Sequence, residues 1–126
     1  MKIGITGVNG FIGYHLSNKL KLSEEHELVD FQRSFFQNNQ DLDKFVDNSD
    51  IIIHLAGVNR HQDENFIFNT NVKIASNLSE SFKRRNFSGK LIFISSIHEE
   101  NESIYGKYLH EDIIIGEDTF KIGTEI

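Results

Sequence analysis

Eight residues near the amino terminus, Thr6-Gly7-Val8-Asn9-Gly10-Phe11-Ile12-Gly13, restrict the fold of this chain more than any other stretch. Their glycines follow the spacing GxxGxxG. Before them, Lys2–Thr6 (KIGIT) is a β-branched run that predicts a short buried strand. After them, Ile12, Leu16 and Leu20 fall at i, i+4 and i+8, predicting a helix from Phe11 to about Leu22. A glycine triplet alone is weak, but a strand, a glycine turn and a helix in direct succession form the context a dinucleotide pyrophosphate requires. Gly7 permits the tight turn, Gly10 lets the backbone approach the pyrophosphate, and Gly13 lets helix and strand pack closely. The helix start then offers unsatisfied N–H groups and the positive end of its dipole. No Gly-Lys-Ser/Thr follows the loop, which excludes a P-loop.

Further along, Glu27–Phe31 (ELVDF) predicts a second strand, and Leu42, Phe45 and Val46 give Gln40–Asn48 the spacing of a short helix. Asp50–Leu55 (DIIIHL) is the most emphatic strand, its continuous apolar run suiting a parallel strand covered on both faces. A long helix is expected over Asn65–Arg85, with Ile74, Leu78 and Phe82 on its inner face, and a last strand over Lys90–Ser95 (KLIFIS). The order β-α-β-α-β-α-β predicts an α/β fold of Rossmann type: a parallel sheet, helices on both faces, right-handed crossovers. The interval from Arg33 to Asp50 is too short for the extra strand of a full half, so that strand is expected to be missing.

At 126 residues the chain supports one core. Its formal charge of −6 argues against a general nucleic-acid binder. The absence of cysteine excludes disulfides, thiolate zinc sites and cysteine nucleophiles. No apolar run approaches the ~18 residues of a membrane span, and glycines interrupt the start of the chain where a signal peptide needs an apolar core. A cytoplasmic protein without membrane contact is expected. His54 sits in an apolar strand end and reads as a packing residue. His61 with Glu64, and the clusters at His98 and His110, lack the spacing of a helical metal site, so no metal is expected.

The end of the second strand bears on the choice of dinucleotide. A carboxylate there binds both ribose hydroxyls, whereas an arginine suits a 2′-phosphate. In Asp30-Phe31-Gln32-Arg33 the ribose-facing position falls at about Gln32 with Arg33 next, while Asp30 points elsewhere in the pleat. The expectation is NADP(H) over NAD(H), the alternative being that Arg33 is only a solvated loop charge.

With these residues in view, the chain resembles the extended short-chain dehydrogenase/reductase family of NAD(P)-dependent epimerases, dehydratases and reductases of nucleotide sugars. The resemblance covers residues 1 to about 107. It rests on Thr6–Gly13, on His54-Leu55-Ala56-Gly57, on Asn71-Val72, on Ser95-Ser96 and on Tyr105-Gly106. The stretch His54–Arg60 (HLAGVNR) is most similar to the UDP-sugar reductases of bacterial capsule and O-antigen synthesis. The resemblance implies that Gly7, Gly10 and Gly13 bind the pyrophosphate, with Asn9, Phe11 and Ile12 lining the same turn. It places Arg33 on the 2′-phosphate, Leu55, Ala56 and Gly57 beside the adenosine ribose, and Asn71 behind that strand end. Ser96, or less favourably Ser95, would hydrogen-bond the reacting sugar oxygen of a UDP-sugar substrate, and Tyr105 would exchange a proton with it.

One departure stands out. The family carries a lysine four residues after the tyrosine, one helical turn away, where its ammonium lowers the phenol's pKa. Here that position is Leu109, and Lys107 lies about 200° around a helix from Tyr105. Turnover by this chain is therefore expected to be absent or very weak. Residues 1–107 are read as the NADP-binding domain and 108–126 as an atypical tail with no substrate domain, the pattern of a truncated or frameshifted product. Three functions stay open: the cofactor part of a sugar-nucleotide reductase or epimerase, a dinucleotide-binding module without catalysis, or a gene remnant. A sheet ended this early leaves apolar surface through which a homodimer could form.

Overall fold

The computed structural model describes residues 1–58 and 61–93 of the chain. Its central strand, β1 (Lys2–Thr6), alternates by residue. Ile3 and Ile5 enter one apolar cluster, while Gly4 faces the other side, where a Cβ would come within 2.6 Å of the Phe45 ring. After the glycine turn comes α1 (Phe11–Lys21), then β2 (Glu27–Val29), a 3₁₀ helix (Arg33–Gln37), α2 (Asn39–Asp47) and β3 (Ile51–His54). The long helix α3 (Glu64–Arg85) leads into β4 (Lys90–Phe93). The strands lie in the order β2-β1-β3-β4, all parallel, with Ile3 opposite both Leu28 and Ile51, and Thr6 opposite His54.

The sheet is covered on both sides, as the unbroken apolar run in β3 requires. Ile51 and Ile53 join Ile3, Ile5 and the α1 residues Leu16 and Leu20 on one face. Ile52 meets Leu42, Phe45 and Val46 of α2 and Ala75, Leu78 and Phe82 of α3 on the other. Leu42 and Leu78 are fully buried, each contributing roughly 1.5–3 kcal/mol of transfer free energy. On this second face α2 and α3 are also joined by Arg84–Asp43 and Arg85–Asp47 ion pairs, each at 2.8 Å. Among the described residues no helix is long and apolar enough to cross a membrane.

Between β2 and α2 there is no strand, as the short interval predicts. The 3₁₀ helix occupies the place, and Phe36 and Phe45 each pack edge to face on Phe31, with centroids 5.3 and 4.9 Å away. Two expectations need correction. The second strand ends at Val29 rather than Phe31, because Phe31 turns inward to join that aromatic cluster. Ile12 is not on the buried face of α1 but 56% exposed; Leu16 and Leu20 pack on the sheet's isoleucines, and Gly13, buried, presses on the Gly7–Val8 turn. Of the last predicted strand, Ile94 and Ser95 lie outside the described residues, as does the whole segment 108–126.

Candidate functional site

The crossover leaving β1 passes over one face of the sheet through α1 to β2, and the crossover leaving β3 passes over the other through α3 to β4. The connections therefore diverge at the carboxyl ends of β1 and β3, where open α/β sheets bind ligands. Gly7 leaves β1 with φ of +77°, a conformation glycine adopts without strain. A Cβ on Gly7 would also stand 2.8 Å from the Ala56 nitrogen, so the turn presses directly on the chain leaving β3. Gly13 is constrained just as tightly, since its Cβ would overlap the Gly7 carbonyl and lie 2.9 Å from Val8 Cα.

Gly10 is different. Its backbone is extended, and a Cβ would meet only the Gly7 carbonyl oxygen at 3.4 Å. The protein's own packing demands the first and third glycines but leaves the space over the second open. Gly10 is also the N-cap of α1, which has no side-chain cap and no acidic residue in its first turn. By contrast Asn38 caps α2 and Asp63 caps α3 through backbone N–H groups. The start of α1 thus presents uncapped N–H groups, the arrangement that receives an anion.

These features border a cleft of about 350 Å³. Gly7, Val8, Asn9 and Gly10 form one lip, and Leu55, Ala56 and Gly57 the other. Phe31, Phe36 and Ile74 supply an apolar wall, and Arg33 brings a cation to the same cleft. Among the described residues no carboxylate pairs with Arg33. Asp30 and Gln32 are exposed and do not line the cleft, so the cation rather than the glutamine occupies the position beyond the second strand.

The second lip is held from two directions. Asn71 of α3 accepts from the Val58 N–H at 2.7 Å and donates to the Val58 carbonyl at 2.9 Å, acting on that residue as a paired strand would. From beneath, the Thr6 hydroxyl oxygen accepts from the Leu55 and Ala56 N–H groups at 3.1 Å each and lies 2.7 Å from His54 Nδ1. Both side chains are buried, and burial pushes the His54 pKa from 6.5 down to about 4.

Of the residues expected at the site, Gly7, Asn9, Gly10, Arg33, Leu55, Ala56 and Gly57 line one cleft. Gly13 backs the turn, and Asn71 holds the far lip without lining the cleft. Phe11 and Ile12 stand exposed at the helix start, outside the lining. Ser96, Tyr105 and Leu109 lie outside the described residues. Sequence reasoning missed Val8, Phe31, Phe36 and Ile74 in the lining, and Thr6 beneath the far lip. Ile74 and Phe31 carried signals only for core and strand, and Phe36 sits in the strandless interval between β2 and α2, where no periodicity marks it.

A model of the NAD dependent epimerase/dehydratase family matches residues 3–123. Over 106 residues the chain is 33% identical to a UDP-2-acetamido-2,6-beta-L-arabino-hexul-4-ose reductase of Pseudomonas aeruginosa, a match covering 84% of this chain and 28% of that protein. Among solved structures it is similar to UDP-glucuronic acid 4-epimerase from Bacillus cereus in complex with NAD, at 25% identity and a TM-score of 0.64, covering 77% of this chain and 40% of that one. It is similar also to RMD from Pseudomonas aeruginosa complexed with NADPH, at 26% identity and a TM-score of 0.64, covering 95% and 41%. The chain spans less than half the length of each of these proteins.

Proposed function

The chain belongs to the NAD dependent epimerase/dehydratase family, and from that premise we propose that it is the cofactor-binding part of an NAD(P)-dependent nucleotide-sugar reductase or epimerase. The observation that carries this reading is the open side of Gly10 beside the uncapped start of α1, at the diverging ends of β1 and β3. A pyrophosphate fits there: its charge complements the N–H groups, and a side chain at position 10 would take its space. Gly7, Gly10 and Gly13 would shape that seat, and Leu55–Gly57 would flank the adenosine ribose.

Solved relatives carry NAD in one case and NADPH in another, so kinship does not choose between them. Arg33 does favour one. Its guanidinium borders the same cleft without a carboxylate partner among the described residues, which suits a 2′-phosphate and favours NADP(H). The P. aeruginosa relative is named as a reductase of a UDP-linked sugar, which supports a UDP-sugar substrate; a place in capsule or O-antigen precursor synthesis rests on the resemblance of His54–Arg60 alone.

When bound, the nicotinamide ring supplies or accepts the hydride. In this reading Ser96 hydrogen-bonds the reacting sugar oxygen, and Tyr105 exchanges a proton with it. A tyrosine with the ordinary pKa of ~10 is almost wholly protonated at neutral pH and needs a neighbouring cation to act as a base. Leu109 stands where the family resemblance expects that cation. This favours a second reading, a dinucleotide-binding module without appreciable turnover.

Thermal melts of the purified chain with NADPH, with NADH and without ligand test the proposal. A ligand that binds the native state raises its apparent stability by mass action. A cooperative transition raised by NADPH is expected; a transition indifferent to both dinucleotides defeats the reading. Turnover assays with UDP-linked 4-keto sugars then separate enzyme from module.

A further inference from the structure

Thr6 and His54 are 48 residues apart in sequence and directly opposite in the sheet, both buried at the base of the cleft. A threonine hydroxyl has one hydrogen to give and two lone pairs to receive with. Both lone pairs are engaged, by the N–H groups of Leu55 and Ala56 at 3.1 Å; the Leu55 N–H also reaches the Thr6 carbonyl at 3.2 Å. The hydroxyl hydrogen therefore goes to His54 Nδ1, 2.7 Å away, and that nitrogen must be bare. We propose that His54, as the neutral Nε2–H tautomer, is a positioning residue of the cofactor cleft: it orients the Thr6 hydroxyl so that Thr6 holds the Leu55–Ala56 lip against Gly7.

The rest of the pocket agrees. Among the described residues, the groups set against the His54 ring are Thr6 from β1, the Phe36 ring from the 3₁₀ helix at 6.4 Å, and the Phe93 ring from β4 at 5.8 Å. None of them titrates near neutrality, and burial alone is the cause of the depressed pKa. An apolar enclosure of this kind favours neutral imidazole. The lip it controls has little freedom, because Ala56 lies in contact range of Gly7, the residue that begins the phosphate turn. Without an acceptor at position 54 the Thr6 hydroxyl has to turn its hydrogen elsewhere, in competition with one of the two amides. The lip then loses one of the hydrogen bonds that hold it from beneath.

This inference rests on the dinucleotide reading, and the experiment separates the two. NADPH is titrated into the full chain and into His54→Asn, His54→Phe, Thr6→Ser and Thr6→Val variants, each with a parallel melt. Asparagine places an amide oxygen near the Nδ1 position and can accept the Thr6 hydrogen, whereas phenylalanine keeps only the ring. His54→Phe and Thr6→Val are expected to weaken NADPH binding about tenfold, the size of one lost hydrogen bond. His54→Asn and Thr6→Ser are expected to stay close to the parent chain. Equal losses in His54→Asn and His54→Phe, or none in either, overturn the proposal. Should His54→Phe fail to fold, the imidazole nitrogen NMR spectrum of the parent chain decides: hydrogen on Nε2 alone at neutral pH supports the pair, and hydrogen on Nδ1 overturns it. A parent chain that binds no dinucleotide overturns the proposed function itself, while that spectrum still judges the Thr6–His54 bond.

Discussion

Gly13 packs so closely on Gly7 that a Cβ at position 13 would overlap the Gly7 carbonyl oxygen and stand 2.9 Å from Val8 Cα. The obstacle is backbone, which cannot swing aside as a side-chain tip can. Alanine's helix preference over glycine, about 1 kcal/mol, is therefore outweighed in Gly13→Ala, and a net destabilisation of about 1–3 kcal/mol is expected. Gly10→Ala should behave in the opposite way. Its backbone is extended and its Cβ meets one atom at 3.4 Å, so stability should stay within about 0.5 kcal/mol while dinucleotide affinity collapses. Denaturant melts and NADPH titrations on the two variants check this; equal stability losses would show that Gly10 serves packing rather than ligand.

Asn71 predicts a second separation. Its amide closes two hydrogen bonds on Val58, at 2.7 and 2.9 Å, and a Cβ at Gly57 would already come within 3.2 Å of its oxygen. Asn71→Ala leaves both Val58 groups without that partner, at a cost of about 1–3 kcal/mol. Asn71→Asp should be no better, because a carboxylate accepts from the Val58 N–H but repels the Val58 carbonyl. Both variants should lose NADPH affinity along with stability. Wild-type binding by Asn71→Asp would show that the donor to Val58 is dispensable.

Arg33 sets the preference between dinucleotides if its guanidinium meets the 2′-phosphate. Hydrogen bonds to a charged group contribute about 1.5–3 kcal/mol, so Arg33→Ala should weaken NADPH binding on the order of 10–100-fold. NADH, which lacks that phosphate, should be nearly unaffected. Parallel titrations of the two reduced dinucleotides read the effect directly. An equal loss for both would return Arg33 to the status of a solvated loop charge.

Much of this architecture was legible in the sequence because its signals are local. Ile51–Ile53 announce a strand covered on both faces, and Ile74, Leu78 and Phe82 mark the inner side of α3 at helical spacing. The misreadings share one cause, close approaches in three dimensions that apolar periodicity does not register. Apolar periodicity assigned Ile12 to the buried side of α1, yet α1 approaches the turn through Gly13, where the absence of a side chain is what matters. Phe31 looked like the last residue of a strand but serves an aromatic cluster whose other members follow β2. The cleft's Gly7, Gly10 and Arg33 were visible as motif and charge. The Thr6–His54 pair was not, because only the register of β1 against β3 brings the two together.

Acid should unfold the chain in two stages. His54 is buried and neutral, with its pKa pushed to about 4 from an ordinary 6.5. Between those values the unfolded chain binds a proton that the folded chain refuses, so stability falls as pH falls. The contribution is fully present above pH 6.5 and lost progressively toward pH 4, a total of roughly 3 kcal/mol at 1.36 kcal/mol per unit. Asp43 acts lower on the scale. The Arg84 hydrogen bond, aided by Ser81, holds its carboxyl below the usual 3.8, so its contribution is present above that value and disappears as pH falls through the lower folded one. Urea midpoints measured from pH 7.5 to 3 should therefore decline through the His54 range in the parent chain and fall further below pH 3.8. In His54→Asn the decline between pH 6.5 and 4 should flatten, whereas Asp43→Asn should keep it and lose only its part of the fall below pH 3.8. A parent profile that is level between pH 7 and 5 would mean that His54 protonates as readily in the folded chain as in the unfolded one.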